Sequence, residues 1–342
     1  MPLDLVPDDV QRAIVDAAVD LLDPAAAAAA LRARADGPVR DAGVWEKAAA
    51  QGWFGLAVPE EAGGLGLGAG ELALLHRELG RTLTAGPYLG TTVAATLFPS
   101  AELIGGLPVG VLVADGVADA PSALGPRVTG TFRTDDREDA AAWLVLSPTG
   151  AALVEAAVTV EPTPDSMDPG ARPARVAVDA AARYAEGPAA WTLATVLVAA
   201  YLAGLAQASV AASVAHTAVR EQFGRPIGSF QMVQQRCADM ATRADAATQL
   251  ALLAALAAVE NPDERVTPPG GAGQLAASAL LVASDAAVTN ARDDIQNHGG
   301  MGFTWEVDAH LRLRRAHGLR ARLGDAADVR AAVLDGPAAR AW

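Results

Sequence analysis

The chain has 342 residues, enough for two or three separate cores; 51% of them are hydrophobic but only 4% aromatic. Its formal net charge of −14 argues against nucleic acid and anionic membrane surfaces as partners, since both select a basic face. A single cysteine, Cys237, excludes an internal disulfide and a cysteine metal site, and its helical Ala/Met setting reads as that of a buried, inert thiol.

Residues 1–9 are acidic and lack an apolar segment, so no signal peptide is expected and the expected compartment is the cytoplasm. Residues 8–31 read as one or two helices, with Pro24 suited to the first turn of the second. A helix is expected over 41–51, with Trp45 on its apolar side. The glycine-rich run from Gly52 to Gly66 lacks the Lys-Ser/Thr of a phosphate-binding loop and has no strand before it, so it reads as a structural turn. Helices follow over 71–81 and 90–97.

Between Leu107 and Ala185 the texture changes to short β-type runs punctuated by turn residues: 109–113, 127–132, 142–146, 152–154, 158–160 and 174–178. The acidic stretch Asp135-Asp136-Arg137-Glu138-Asp139 reads as a solvated turn. From Pro188 helical periodicity returns, and segments 189–220, 229–260, 274–297 and 307–322 suit a four-helix bundle, with a Pro/Gly-rich loop over 261–273. The apolar run 189–206 approaches the length of a membrane span but lacks charged flanks, and reads as a bundle-core helix. The last third gathers Arg312, Arg314, Arg315, Arg320 and Arg322, a cationic cluster able to face an anionic ligand despite the global charge.

Two motifs carry chemistry. In Arg220-Glu221-Gln222-Phe223-Gly224-Arg225-Pro226-Ile227-Gly228-Ser229-Phe230-Gln231, a tight turn lets Arg220 and Gln231 face one ligand. The planar guanidinium suits a pyrophosphate, the amide adds hydrogen bonds, and Phe223 offers an apolar face for a ring. In Gln296-Asn297-His298-Gly299-Gly300-Met301-Gly302-Phe303, the paired glycines end a helix and let backbone N–H groups approach phosphate or ribityl oxygens. His298 reads as a satisfied polar residue, and five scattered histidines make no metal cluster.

These motifs resemble the C-terminal helical domain of acyl-CoA dehydrogenases, where R-x-x-F-G-x-x-I-x-x-x-Q and Q-x-x-G-G-x-G-F hold the ADP half of FAD across a subunit interface. The run Gly52-Trp53-Phe54-Gly55-Leu56-Ala57-Val58-Pro59-Glu60 resembles that family's N-terminal domain. The resemblance implies a mainly α fold with a small central β domain: an N-terminal helical domain (1–105), a shortened, β-barrel-like middle (106–186) and a C-terminal four-helix bundle (187–342). It implies FAD as cofactor, with Arg220, Phe223, Gln231, Gln296, Gly299 and Gly300 contacting the flavin of a neighbouring subunit, and Glu306 anchoring the next helix.

The family's reaction, α,β-dehydrogenation of an acyl-CoA thioester, needs a carboxylate base in a dry pocket. The positions matching the family's base fall at Leu323, near Ala194, and at Tyr201; the last two share one helix face, and none is a carboxylate. Asp325 and Glu186 are the nearest acids and the candidate bases. The middle region also lacks the family's T-E-P-x-x-G-S-D loop over flavin and substrate. The resemblance therefore implies a subunit of a cytoplasmic, heterotetrameric enzyme of lipid or steroid degradation, paired as α2β2 with a homologous subunit to which it contributes flavin contacts rather than a base. Ala194, Gly204 and Ala208 hint at room for a bulky acyl chain. The alternatives are a self-sufficient homotetramer using Asp325 or Glu186, and a flavin-free helical assembly or binding protein.

Overall fold

The computed structural model describes residues 6–33, 36–114, 124–258, 271–324 and 326–334. Most of the 261–273 loop, the first five residues and the candidate base Asp325 lie outside the described residues.

The chain opens with helices α1 (Asp9–Leu21), α2 (Pro24–Ala33), α3 (Ala42–Ala50), α4 (Ala69–Arg81), α5 (Tyr88–Leu97) and the single turn α6 (Ala101–Ile104). Asp8 caps α1 by accepting from the N–H of Gln11, whose side chain accepts in return from the Asp8 N–H, so two orphan donors are satisfied together. Pro24 does open α2. Trp45 is buried, with its indole N–H donating to the Gly106 carbonyl at 2.8 Å. The Gly52–Gly66 run is a turn, as expected: a Cβ on Gly64 would sit 2.1 Å from the Val58 carbonyl oxygen, so the run closes on its own backbone.

The sheet comprises β1 (Val109–Ala114), β2 (Arg127–Thr134), β3 (Ala142–Ser147), β4 (Gly150–Val154), β5 (Thr159–Pro162), β6 (Ala174–Ala181) and β7 (Arg183–Glu186), in the order β5-β6-β2-β1-β3-β4-β7. Among the described strands of this sheet only β1 and β3 pair in parallel, with Val111 opposite Leu144. The periodicity explains the layering. β1, β3 and β4 are almost continuously apolar and buried on both faces, whereas β6 alternates buried and exposed residues because one of its faces meets solvent. The short edge strand β7 and the turn α6 escaped the sequence reading.

The third part holds α7 (Ala189–Val219), the two-residue hairpin strands β8 (Glu221–Gln222) and β9 (Arg225–Pro226), then α8 (Gln231–Ala257), α9 (Gly271–His298), α10 (Ala309–Arg320) and α11 (Ala326–Leu334). Among the described residues, two helical stretches, Ala189–Val219 and Gly271–Phe303, are long and apolar enough to cross a membrane, but the apolar window of the first is 89% buried inside the fold. It is apolar all round because other helices surround it.

α4 crosses α7 through a reciprocal glycine contact. A Cβ on Gly80 would meet the Tyr201 carbonyl oxygen at 2.0 Å, and one on Gly204 would meet that of Arg77 at 2.0 Å. Gly204 therefore does not widen an acyl pocket; its missing side chain is the space taken by α4. Ala194, fully buried, leaves no open space either.

Candidate functional site

The two motifs lie at the ends of α7 and α9. α7 ends when Arg220 turns to extended backbone, its N–H donating to the His216 carbonyl at 2.9 Å. The β8–β9 hairpin then folds back, and the Ile227 N–H donates to the Arg220 carbonyl at 2.7 Å. Phe223 occupies the hairpin tip at φ +55°, a conformation costly for a bulky residue, and its side chain is 93% exposed. Arg225 lies over the Phe230 ring, 4.2 Å from its centroid.

Arg220, Gln231 and Gln296 are all exposed, and their side chains make no hydrogen bond or ion pair among the described residues. Gly299 and Gly300 face open space, with nothing within 4 Å of an added Cβ at either. Val219, Met232, Met301 and Phe303 add exposed apolar surface to the same segments. Donors without partners among the described residues, beside a Phe223 ring exposed apart from an edge contact with Phe230, suit a covering ligand or second surface.

A buried frame holds the segments in place. Asp294 of α9, fully buried, accepts from Ser213 Oγ of α7 at 2.8 Å and from Arg312 Nη2 of α10 at 2.7 Å. His298 Nδ1 lies 2.9 Å from the Asp294 carbonyl and 3.1 Å from its carboxylate, so this nitrogen is the donor. Its ring stacks on that of His216, centroids 4.1 Å apart. Burial disfavours the Asp294 charge, but His298, Arg312 and Ser213 outweigh it and hold the carboxyl below its ordinary value. The hydrogen bond to Asp294 raises His298, against burial; burial first, then the charges of His298 and Arg220, lowers His216. From α8, Arg236 donates to Asn297 Oδ1 at 2.8 Å, and Arg243 to Asn290 Oδ1 at 2.8 Å.

The interior beside Tyr201 is the opposite of the open surface. The Tyr201 hydroxyl donates to the Thr84 carbonyl at 2.8 Å and lies 3.3 Å from Arg315 Nε. Arg315 Nη1 donates to Asp168 Oδ2 at 2.8 Å and to the Gly170 carbonyl at 3.0 Å. Burial lowers the Arg315 pKa, but Tyr201 and Asp168 more than offset this, and the net shift is upward. Around these groups, His76, Tyr88, Leu197 and Arg322 help line a cavity of about 30 Å³, room for water and little else. His76 is nearly fully buried; its Nδ1 sits 2.9 Å from the Leu72 carbonyl, Nε2 has no hydrogen-bond partner among the described residues, and burial pushes its pKa down to about 4.

Several expectations need correction. The arginine cluster is not a ligand-facing patch: Arg312, Arg315 and Arg322 are buried and paired with Asp294, Asp168 and Asp136. The acidic stretch is not a solvated turn, since Asp136 also accepts from the Val111 N–H and Asp139 accepts from the Val39 and Arg40 N–H groups. Cys237 is half-buried rather than buried, beside a shallow cleft of about 250 Å³. Glu306 is exposed, and Asp308, paired with Arg32, stands at the start of α10. The candidate base Glu186 is exposed at the end of β7 and does not line the Tyr201 cavity. Leu323 is buried, as are Ala194 and Tyr201.

The architecture sets a small cavity beside Tyr201 against an exposed surface at the ends of two bundle helices. The chain belongs to the acyl-CoA dehydrogenase family: residues 8–101 match that family's N-terminal domain and residues 189–328 its C-terminal domain. It is 33% identical to the acyl-CoA dehydrogenase IpdE2 of Mycobacterium tuberculosis over 92% of this chain and 93% of the relative. It is 37% identical to FadE34 of the same organism over 80% of this chain, but that match spans only 39% of FadE34. Among solved structures, it is similar to a chain of the Tcur3481-Tcur3483 steroid ACAD (G363A variant) at 26% identity, TM-score 0.79, covering 96% of each chain. It is likewise similar to a chain of the ChsE4-ChsE5 complex from Mycobacterium tuberculosis at 25% identity, TM-score 0.79, covering 96% of this chain and 97% of that one.

FAD is the cofactor of the family. The open Gly299–Gly300 turn, the free Arg220 guanidinium and the uncommitted amides of Gln231 and Gln296 fit its ADP half. The 30 Å³ interior beside Tyr201 does not fit a flavin ring or an acyl group.

Proposed function

We propose that this chain is the base-lacking subunit of a hetero-oligomeric, FAD-dependent acyl-CoA dehydrogenase, and that it lends its flavin-contact surface to a homologous partner. The observation that carries this reading is the closed Tyr201 position. Where the resemblance puts a catalytic carboxylate, a phenol is bonded to Thr84 and Arg315 in a cavity too small for substrate. A neutral phenol is a poor base at neutral pH.

In the assembled enzyme the flavin would accept the hydrogen removed from the β carbon of the acyl thioester. Arg220 would neutralise pyrophosphate charge, Gln231 and Gln296 would donate or accept amide hydrogen bonds, and the Gly299–Gly300 backbone would approach the cofactor closely. Phe223 would lose its exposure against ligand or partner. The partner would supply the base and the acyl pocket. The similarity to a structure named as a steroid ACAD favours a bulky, steroid-type acyl-CoA substrate, and an α2β2 assembly in the cytoplasm completes the reading.

Visible absorption after purification tests it. Flavin retained only when the chain is co-expressed with a homologous subunit supports the shared site. Flavin retained by the chain alone overturns it in favour of a self-sufficient enzyme, and flavin in neither preparation favours an assembly protein.

A further inference from the structure

α7 carries a histidine, His216, in its last turn and α9 ends in one, His298, and each borders one of the proposed flavin-contact segments. His216 accepts the capping N–H of Arg220 at its carbonyl, and His298 immediately precedes Gly299. The 4.1 Å ring stack between them is a direct side-chain link between the two helix ends. We propose that the His216–His298 pair is a one-proton clamp that sets the spacing of the two segments, and that flavin affinity depends on His216 staying neutral.

The charges around the pair decide where its proton resides. His298 has the Asp294 carboxylate beside Nδ1, so a charge on its ring is compensated. Asp294 is also engaged by Arg312 from α10 and Ser213 from α7, so His298 is one of three donors to it. His216 is influenced by Arg220 on its own helix end, by His298, and more weakly by Asp294. On the α8 side, Arg236 and Arg243 are engaged with Asp293, Asn297 and Asn290. A stacked pair with one charged ring is stable; two charged rings in contact repel, and among the described residues no second carboxylate compensates them. Protonating His216 therefore pushes the end of α7, with Arg220, away from the Gly299–Gly300 turn. These two histidines are positioning residues for the flavin site, acting through the segments that follow them.

This inference rests on the proposed flavin-sharing function, and two measurements separate their failures. Histidine ring NMR on the free chain, assigned with His216→Phe and His298→Gln variants, should place the His298 midpoint above and the His216 midpoint below the ordinary value. In His216→Phe the His298 midpoint should rise further, and in Asp294→Asn it should fall. Independent titration of the two rings overturns the clamp. For the complex with its partner, the flavin dissociation constant should rise about tenfold for each pH unit below the His216 midpoint, since one proton is linked to release. His216→Phe keeps a stacked ring and cannot take a proton, so that acid limb should disappear. The same acid limb in wild type and His216→Phe overturns the proposal. A complex that holds no flavin at any pH overturns the proposed function and the flavin linkage with it, while the ring titrations still decide whether the pair shares one proton.

Discussion

Arg315 on α10 donates to Asp168, 147 positions earlier, across a 2.8 Å ion pair with both side chains at 4% exposure or less. The pair joins the helical bundle to the segment before β6, and the Arg322–Asp136 pair makes a second such link. Removing one partner strands a buried charge. Arg315→Met and Asp168→Ala should each lower stability by about 3–5 kcal/mol, whereas joint replacement by apolar residues should recover much of the loss. Denaturant unfolding of the two single variants and the double variant checks this.

On the proposed reading, Tyr201 holds a place in the fold rather than a place in the chemistry. Tyr201→Phe leaves the Thr84 carbonyl without its donor and should cost about 1–3 kcal/mol. Turnover of the assembled complex should be unchanged. A large fall in kcat with unaltered stability would assign the phenol a catalytic role and contradict the account.

His76 makes the chain acid-labile. Its pKa is lowered from 6.5 to about 4 by burial, so the fold favours the neutral ring. The folded value lies below the unfolded one, so this contribution is complete above pH 6.5 and is lost as pH falls towards 4. The full loss is about 3 kcal/mol. In His76→Leu, the slope of stability against pH across that window should flatten. His298, shifted the other way, contributes stability that is complete below its ordinary value and lost as pH rises through its raised folded value.

The α4–α7 crossing has no room for a methyl group. Gly80→Ala or Gly204→Ala places a Cβ about 2 Å from a carbonyl oxygen and must part the helices. A cost of about 1–3 kcal/mol is expected, read as a fall in melting temperature.

Arg220→Ala should behave in the opposite way. Its guanidinium has no partner among the described residues, so the chain's own stability should hold. Flavin binding by the complex should weaken by the worth of a charge-assisted contact, about 1.5–3 kcal/mol. Flavin titration of the complex, beside a melting curve of the variant, checks both halves.

The elements were legible where periodicity is long. α7 read clearly from its long apolar, Ala/Leu-rich run, α8 and α9 from their helical periodicity, and β6 from its strict alternation. The edge strand β7 was missed because Arg183-Tyr184-Ala185-Glu186 has no alternation to see and is defined by pairing with β4. Of the site, Arg220, Phe223, Gln231, Gln296, Gly299 and Gly300 were legible as motifs, and the structure places them on exposed segments at two helix ends joined by the His216–His298 stack. The buried ion pairs were not legible: nothing local in Arg315 or Asp168 distinguishes a partner 147 positions away from a solvated charge. Their visible trace was an arginine cluster in an acidic protein, which read as able to face an anionic ligand. Small residues such as Gly204 suggested a pocket, but a missing Cβ is equally the mark of two backbones in contact.

The most direct test of the central claim is the ratio of flavin to polypeptide in the purified complex with its partner. A chain that lends a flavin surface but whose own interior is closed predicts half as many flavins as chains. One flavin for every chain would mean that the Tyr201 cavity opens to receive a cofactor, and would contradict the account.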